Sequence, residues 1–157
     1  MYKITFLTII KKENSTVNAV YYPVSIKDLN KTDKRESGYC RVKVEGKDLS
    51  FYGKKIKTKN KNFWVYAANP GKIKKPNNSH PIVQSYVDLF IGGCFQIKER
   101  YKINEFPKQC VETTTEWSKH WVNDRVHARR PFLVPNFYKI DKLLSNYFDY
   151  YLENKYQ

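Results

Sequence analysis

Apolar and polar residues alternate in two short segments in the first half of the chain. In Tyr39–Val44 every second residue is apolar, which is typical of a strand with one buried side. In Asn62–Ala68 the same period places Trp64 and Tyr66 opposite Phe63. Both segments are rich in aromatic or β-branched residues, so we predict a strand at each.

Other apolar runs favour strands by composition more than by strict alternation. They are Tyr2–Ile10, Val17–Ile26, Leu49–Tyr52, Val87–Ile91, Cys94–Lys98 and Tyr101–Ile103. Gly92-Gly93 predicts a bend between two of these runs, which would then pair. Asp28–Ser37 is expected to be a charged loop, and Thr113–Asp124 is compatible with either a helix or a loop.

The last part of the chain changes from strand to helical periodicity. Asn136 is a suitable N-cap, and large apolar residues then recur at helical spacing to about Glu153. The sequence therefore predicts a sheet or barrel over residues 1–134 and a C-terminal helix over residues 135–157. The apolar stripe Phe137–Tyr151 has two interpretations: it covers the end of the barrel, or it mediates self-association or contact with a replication partner.

The net charge and the aromatic content limit the classes of partner that the protein is expected to bind. The 157 residues include 29 Lys and Arg against 15 Asp and Glu, a formal charge of +14. This excess implies a densely anionic partner such as nucleic acid, an anionic membrane or an acidic protein. Aromatic residues make up 16% of the chain, and single-strand binders need both rings for bases and cations for phosphates. A genome rich in A and T would also raise the lysine content, but it would scatter the lysines.

The lysines are instead concentrated in one acid-free segment. No Asp or Glu occurs from Leu49 through Val87, and this window contains eight lysines together with Trp64 and Tyr66. We interpret it as a cationic surface with exposed rings, on which unpaired bases stack. The alternative is that both rings pack beneath a loop and the lysines are simply solvated.

A second basic cluster lies near residue 127. Arg125, Arg129 and Arg130 are three of only six arginines, and His127 lies among them. The cluster is either a phosphate clamp or a mobile basic loop, and the sequence favours neither.

The cysteines and the N-terminal residues indicate in which cellular compartment the protein is expected. Cys40, Cys94 and Cys110 are odd in number and lack CxxC spacing, so we expect buried thiols in a reducing compartment and no disulfide framework or zinc site. Neither a signal peptide nor a membrane span is expected. The predicted location is the cytoplasm, or the host cytoplasm for a viral protein, with the nucleus left open.

Patterns that would indicate an enzyme are weak. The three histidines lack carboxylates at ligand spacing, and no phosphate-binding or metalloprotease motif occurs. Asp88 followed by Gln96-Ile97-Lys98 is partly similar to the hairpin of metal-dependent nucleases, but that chemistry needs a second acidic ligand. We therefore expect no catalytic residue, metal or cofactor, and keep a small nuclease as an alternative.

Four motifs within Asn60–Asn104 occur in an order that is similar to a known family. They are Lys61-x-Phe63-x-x-x-Ala67, Pro70-Gly71, Asp88 to Gly93-Cys94-Phe95, and Tyr101-x-x-Asn104. The segment resembles the single-stranded-DNA-binding proteins of phage and viral replication, of the podophage type. The resemblance implies an all-β OB-fold, a five-stranded Greek-key barrel, that protects single strands without catalysis. The Asp-Pro-Asp often found before Gly-Cys and the acidic C-terminal tail are missing here.

Together these features predict a non-specific single-stranded-DNA-binding protein, with an RNA-binding nucleoprotein as the main alternative. Trp64, Tyr66, Phe95 and Tyr101 are the candidate stacking rings. The candidate phosphate ligands are Lys54, Lys55, Lys57, Lys59, Lys61, Lys72, Lys74, Lys75, Lys98, Arg100, Arg125, Arg129 and Arg130. If Cys94–Lys98 and the residues after it form a strand, Lys98 and Arg100 lie on the side opposite Phe95. Phe95 and these two cations would then not belong to one binding surface.

Overall fold

A computed structural model describes residues 3–53, 56–130 and 134–153. The described residues belong to two compact units. The first, which we call the sheet unit, is formed by Leu7–Glu13 and Tyr21–Lys74. The second, the helical unit, is formed by Met1–Phe6, Asn14–Val20 and Lys75–Gln157.

The sheet unit contains a helix and two strands. Helix α1 is Ile26–Arg35, and strands β1 (Tyr39–Val44) and β2 (Phe63–Ala68) pair antiparallel, from Tyr39 opposite Ala68 to Val44 opposite Phe63. Short 3-10 turns follow at Gly46–Asp48 and Pro70–Lys72. Both strands were predicted from alternation, and both are confirmed.

A cluster of aromatic rings packs at Phe63 on one side of this two-stranded sheet, whereas Cys40 and Val42 on the same side are exposed. Phe63 lies 6.1 Å from Tyr21 and 6.4 Å from Phe51, measured between ring centroids, and Tyr21 and Phe51 are 5.8 Å apart. Two strands alone bury too little apolar surface to be stable in water. This three-ring cluster supplies the missing apolar contact on the Phe63 side, and the predicted separation of Phe63 from Trp64 is confirmed by the register.

Helix α1 occupies a segment that we had predicted to be a charged loop. Its N-cap is Ser25, whose Oγ accepts a hydrogen bond from the Asp28 backbone N–H at 3.1 Å. Lys34 and Arg35 in the last turn lie near the carbonyl end of the helix, where positive charge is favourable. None of its residues is buried, so apolar periodicity could not identify it, whereas the capping pattern could.

The helical unit contains four helices and a small parallel sheet among its described residues. They are α2 (Gln84–Tyr101), α3 (Phe106–Thr113), α4 (Phe137–Ser145) and α5 (Tyr150–Glu153), with β3 (Ile82–Val83) parallel to β4 (Trp121–Val122). Helix α2 is central, and its buried residues include Val87, Ile91 and Cys94. Ile140 and Leu144 of α4 pack in the same core, at 1% and 0% exposure.

The predicted OB barrel is wrong. The described residues form two small two-stranded sheets and several helices, a mixed α and β structure. The decisive error concerns residues 84–101, where two paired strands were predicted around Gly92-Gly93 and one continuous 18-residue helix is found. Gly92 is required by packing, since a Cβ there would lie 2.8 Å from Cγ1 of Val134. Because the barrel is wrong, the resemblance to the phage proteins gives no fold for this chain, and membership of that family remains untested.

Three further predictions need correction. The N-terminal runs form no regular strand within residues 3–25, although the backbone N–H groups of Lys3 and Thr5 donate to the carbonyls of Ser79 and Pro81. The single C-terminal helix is interrupted between Ser145 and Tyr150. The division at residue 134 does not coincide with the two units.

The expectation for the cysteines is partly wrong, since Cys94 and Cys110 are buried as expected but are not free thiols. Cys94 and Cys110 form a disulfide between α2 and α3, and Cys40 is an exposed free thiol. Neither outcome could be read from spacing, because the bonded residues lie on two different helices.

None of the described helices has the length and apolar composition to cross a bilayer.

Candidate nucleic-acid interface

The side of the β1–β2 sheet opposite the aromatic cluster carries both cations and rings. Residues that pair across an antiparallel sheet lie on the same side of it, and the register pairs Arg41 with Tyr66 and Lys43 with Trp64. We call this side the Trp64 face and define it by Tyr39, Arg41, Lys43, Trp64, Tyr66 and Ala68. It combines the two residue types that single-strand binding requires.

The Trp64 ring lies at the surface and in contact with an arginine. Trp64 is 39% exposed, and the guanidinium carbon of Arg41 is 4.7 Å from its ring centroid. A guanidinium at this distance is held over the ring by a cation–π attraction, so Arg41 covers part of one face of the ring. Lys43, the cross-strand partner of Trp64, is half exposed and forms a 3.6 Å ion pair with Glu45. The face thus presents an aromatic ring with two cations close by.

Asp33 of α1 closes the other end of the Trp64 face. Its carboxylate accepts a hydrogen bond from the Tyr66 hydroxyl at 2.6 Å and from Nη1 of Arg41 at 2.8 Å. Desolvation and the hydrogen bond to Asp33 raise the pKa of the Tyr66 hydroxyl. Tyr66 is therefore a neutral donor engaged with Asp33, and its ring is only partly exposed. Of the two predicted stacking residues of this strand, Trp64 is the accessible one.

Lysines of the acid-free window lie just before and after β2. Lys57, Lys59 and Lys61 precede the strand, Lys72 and Lys74 follow it, and all five are exposed. None of them has an ion-pair partner within the described parts of the chain. Lys54 and Lys55 lie outside the described residues. These five lysines supply positive charge to the sheet unit that no carboxylate offsets.

The remaining candidates belong to the helical unit. Lys75 forms a 3.1 Å ion pair with Glu116. The other candidates of this unit lie on α2 and are Phe95, Lys98, Arg100 and Tyr101. The structure therefore divides the predicted site between the two units.

Because residues 84–101 form a helix and not strands, Phe95 and Arg100 are no longer expected on opposite sides. Alternation would have separated Phe95 from Arg100, but on α2 both side chains line one cavity. Tyr101 is 53% exposed, and the guanidinium carbon of Arg100 is 5.6 Å from its ring centroid.

The Arg125 side chain forms ion pairs with two buried carboxylates. Its Nε and Nη2 donate to Asp88 at 2.7 Å each, and its Nη1 and Nη2 donate to Asp141 at 3.1 and 2.7 Å. Asp88 and Asp141 are 5% and 6% exposed. Burial disfavours the charged guanidinium, but the hydrogen bonds to the two carboxylates outweigh it and raise the pKa of Arg125. Arg125 is thus held within the fold, and we leave it out of the proposed interface.

Two neutral side chains complete this buried network. The Tyr151 hydroxyl donates to Asp141 at 2.7 Å, and Gln84 donates from Nε2 to Asp88 at 2.8 Å. Burial, followed by the hydrogen bond to Asp141, raises the pKa of the Tyr151 hydroxyl. The network joins α2, α4 and α5. A cluster this polar can be buried because the guanidinium and both carboxylates are paired with one another.

The rest of the second basic cluster is anchored through Asp124. Its carboxylate accepts from the Ser85 N–H at 2.7 Å, the Ser85 Oγ at 2.6 Å and the Arg129 N–H at 2.9 Å. The guanidinium carbon of Arg130 lies 5.8 Å from the Phe6 ring centroid and 5.5 Å from that of Tyr86. The hypothesis of a phosphate clamp at residues 125–130 gains no support from these contacts.

Two residues important to the interface were not among the candidates. Alternation placed Arg41 on the outer side of β1, but only the pairing with β2 brings it to Trp64. Asp33 was assigned to a loop, so nothing in the sequence connected it with Tyr66.

The nuclease alternative depends on Asp88. Both of its carboxylate oxygens accept hydrogen bonds from Arg125, and one also accepts from Gln84. In residues 3–53, 56–130 and 134–153, no three His, Cys, Asp or Glu side chains are grouped so as to hold a metal ion. No observation therefore favours this alternative.

Comparison of the chain with protein-family models, with curated proteins and with solved structures finds no match.

Proposed function

We propose that the protein binds single-stranded DNA without sequence preference and without catalysis, through the Trp64 face. The observation that carries the proposal is the exposed Trp64 ring with Arg41 against it, on the side of the sheet opposite Phe63 and its aromatic cluster. A base stacks on the ring, while Lys43 and the unpaired lysines before and after β2 follow the phosphates. Neither contact distinguishes between bases.

The proposal differs from the original expectation in its scaffold. A barrel groove is replaced by a two-stranded sheet supported by α1 and by the cluster of Tyr21, Phe51 and Phe63. The site is correspondingly small, since the exposed rings of the Trp64 face are those of Trp64 and Tyr39. Affinity must then come mainly from phosphate contacts, so it should depend strongly on salt: each contact contributes about −0.7 to the slope of log affinity against log salt.

Substitution of the ring tests the proposal. Trp64→Ala should weaken binding to oligo-dT by about 1–3 kcal/mol, the cost of one lost base–ring stack, in fluorescence anisotropy titrations. Tyr138→Ala is the matched control, since Tyr138 is 59% exposed but lies on α4 of the helical unit. Equal affinity of the two variants would remove Trp64 from the interface.

The choice of nucleic acid is tested in the same assay. Oligo-U, oligo-dT and a duplex of equal length are compared over a range of salt concentrations. The proposal expects oligo-dT to bind more tightly than the duplex, because bases stacked within a duplex cannot reach the ring. Equal or tighter binding of oligo-U would support the alternative of an RNA-binding nucleoprotein.

A further inference from the structure

The helical unit contains a cavity between α2 and the start of α4. Its volume is about 540 Å³, within the range of sites for small organic molecules. It is lined by Gly92, Phe95, Gln96, Glu99, Arg100, Val134, Pro135, Asn136, Lys139 and Ile140. This cavity involves no residue of the Trp64 face, so an inference from it is independent of the function proposed above.

The floor of the cavity is fixed by close packing. Gly92 is buried and lies so near Val134 that a side chain would not fit between them. Ile140 is 1% exposed, and Asn136, at φ 61°, turns the chain into α4. Val134 is therefore already in close contact with α2 at Gly92, and the cavity lies beside this contact.

The walls combine one aromatic ring with polar and charged side chains. Phe95 is partly exposed on α2. Gln96 and Glu99 lie close to it on the same helix, and Lys139 lies on α4; no hydrogen bond or ion pair occupies these three side chains within the described residues. Arg100 adds a second cation. Two cations and one carboxylate give the cavity a net positive charge, which favours an anion.

These groups specify more than an anion. A flat apolar ring favours a planar ligand, and Gln96 and Glu99 accept hydrogen bonds from ring N–H or exocyclic amino groups. Arg100 and Lys139 are phosphate ligands. We infer that the cavity binds a nucleotide, with its base against Phe95 and its phosphate between Arg100 and Lys139. The nucleotide is either free or the phosphorylated end of a strand.

The experiment uses the full chain and calorimetric titration with AMP, ribose 5-phosphate and adenosine. AMP should bind at least tenfold more tightly than either fragment, because only AMP supplies both base and phosphate. Lys139→Gln should weaken AMP binding by about tenfold, a typical loss for one charge-assisted phosphate contact. Lys142→Gln, an exposed residue of α4 outside the cavity lining, is the control and should leave binding within twofold. Ribose 5-phosphate binding as tightly as AMP, or equal losses in the two lysine variants, would overturn the inference.

A second comparison separates the two sources of the nucleotide. If a strand end is the ligand, Lys139→Gln should weaken binding of 5′-phosphorylated oligo-dT and not of the 5′-hydroxyl form. If a free nucleotide is the ligand, only AMP binding should change. No effect on either ligand would overturn the inference. Trp64→Ala separates the two proposals, since it should weaken 5′-hydroxyl oligo-dT and leave AMP binding unchanged.

Discussion

If the Trp64 face binds DNA as proposed, Asp33 competes with the phosphates for Arg41, and neutralising Asp33 should strengthen binding. In the free protein the Asp33 carboxylate is 2.8 Å from Nη1 of Arg41, at the edge of the Trp64 face. A phosphate that contacts Arg41 must replace this partner and approach a negative charge. In Asp33→Asn the amide oxygen can still accept from Tyr66, while the charge that opposes the phosphate is removed.

The expected gain follows from two terms. The side chains of Arg41 and Asp33 are 31% and 35% exposed, so their ion pair is worth about 0.5 kcal/mol, the middle of the range for surface pairs. Repulsion between Asp33 and a phosphate about 6 Å away costs about 0.7 kcal/mol in water, and about half of that remains at 0.1 M salt. Together these give about 1 kcal/mol, or about fivefold tighter binding at low salt.

Anisotropy titrations of labelled oligo-dT over a salt series measure this effect. Releasing Arg41 adds one phosphate contact, so the slope of log affinity against log salt should become steeper by about 0.7. Asp28→Asn is the control, because it makes the same charge change on α1 at a side chain whose partners are Ser25 and Lys31. Circular dichroism verifies that α1 survives in both variants. If Asp33→Asn binds no more tightly than Asp28→Asn, or with an unchanged salt slope, Arg41 is not a phosphate ligand and the reasoning fails.

The other predictions concern the stability of the helical unit, measured by urea unfolding. Arg125→Met should cost about 3–5 kcal/mol at neutral pH, because it leaves two buried carboxylates unpaired, and a loss below 1 kcal/mol would contradict the network. The pKa of the Tyr151 hydroxyl is raised in the folded state, so its contribution to the free energy of unfolding is fully present below pH 10 and is lost as the pH rises above 10. Above pH 10 the wild type should lose up to about 1.4 kcal/mol of stability per pH unit relative to Tyr151→Phe. Parallel plots of stability against pH for the two proteins would refute this. Replacing Cys94 and Cys110 by Ala should cost about 3 kcal/mol for a loop of this length, whereas Cys40→Ala should cost nothing measurable; equal effects would exclude the disulfide.

The sequence predicted those parts of the fold in which one face meets solvent. In Phe63–Ala68 the alternation predicted a strand with Phe63 and Trp64 on opposite sides, and the register confirms it. The first part of α2 has no such alternation. Its buried residues are concentrated in Gln84–Cys94, where the apolar run is as compatible with a buried strand as with a helix. The spacing of Val87 and Ile91 was nevertheless helical, and greater weight on that period would have given the correct element.

The pair Gly92-Gly93 was the second source of error in the fold prediction. A glycine can indicate a bend in the chain or a close contact inside a helix, and here the wrong one was chosen. Gly92 was interpreted as a bend, since glycine adopts conformations that other residues avoid. Its actual role is to lack a side chain where the chain before α4 crosses α2, a contact between residues 42 positions apart, as counted from Gly92 to Val134. No local pattern reports such a contact. The same close approach fixes the floor of the cavity beside Phe95, so the residue that misled the fold prediction is the one on which the proposed nucleotide site is built. Gly92→Ala should therefore displace Val134 and disturb AMP binding, while the Trp64 face, built from local alternation in the other unit, keeps its affinity for oligo-dT.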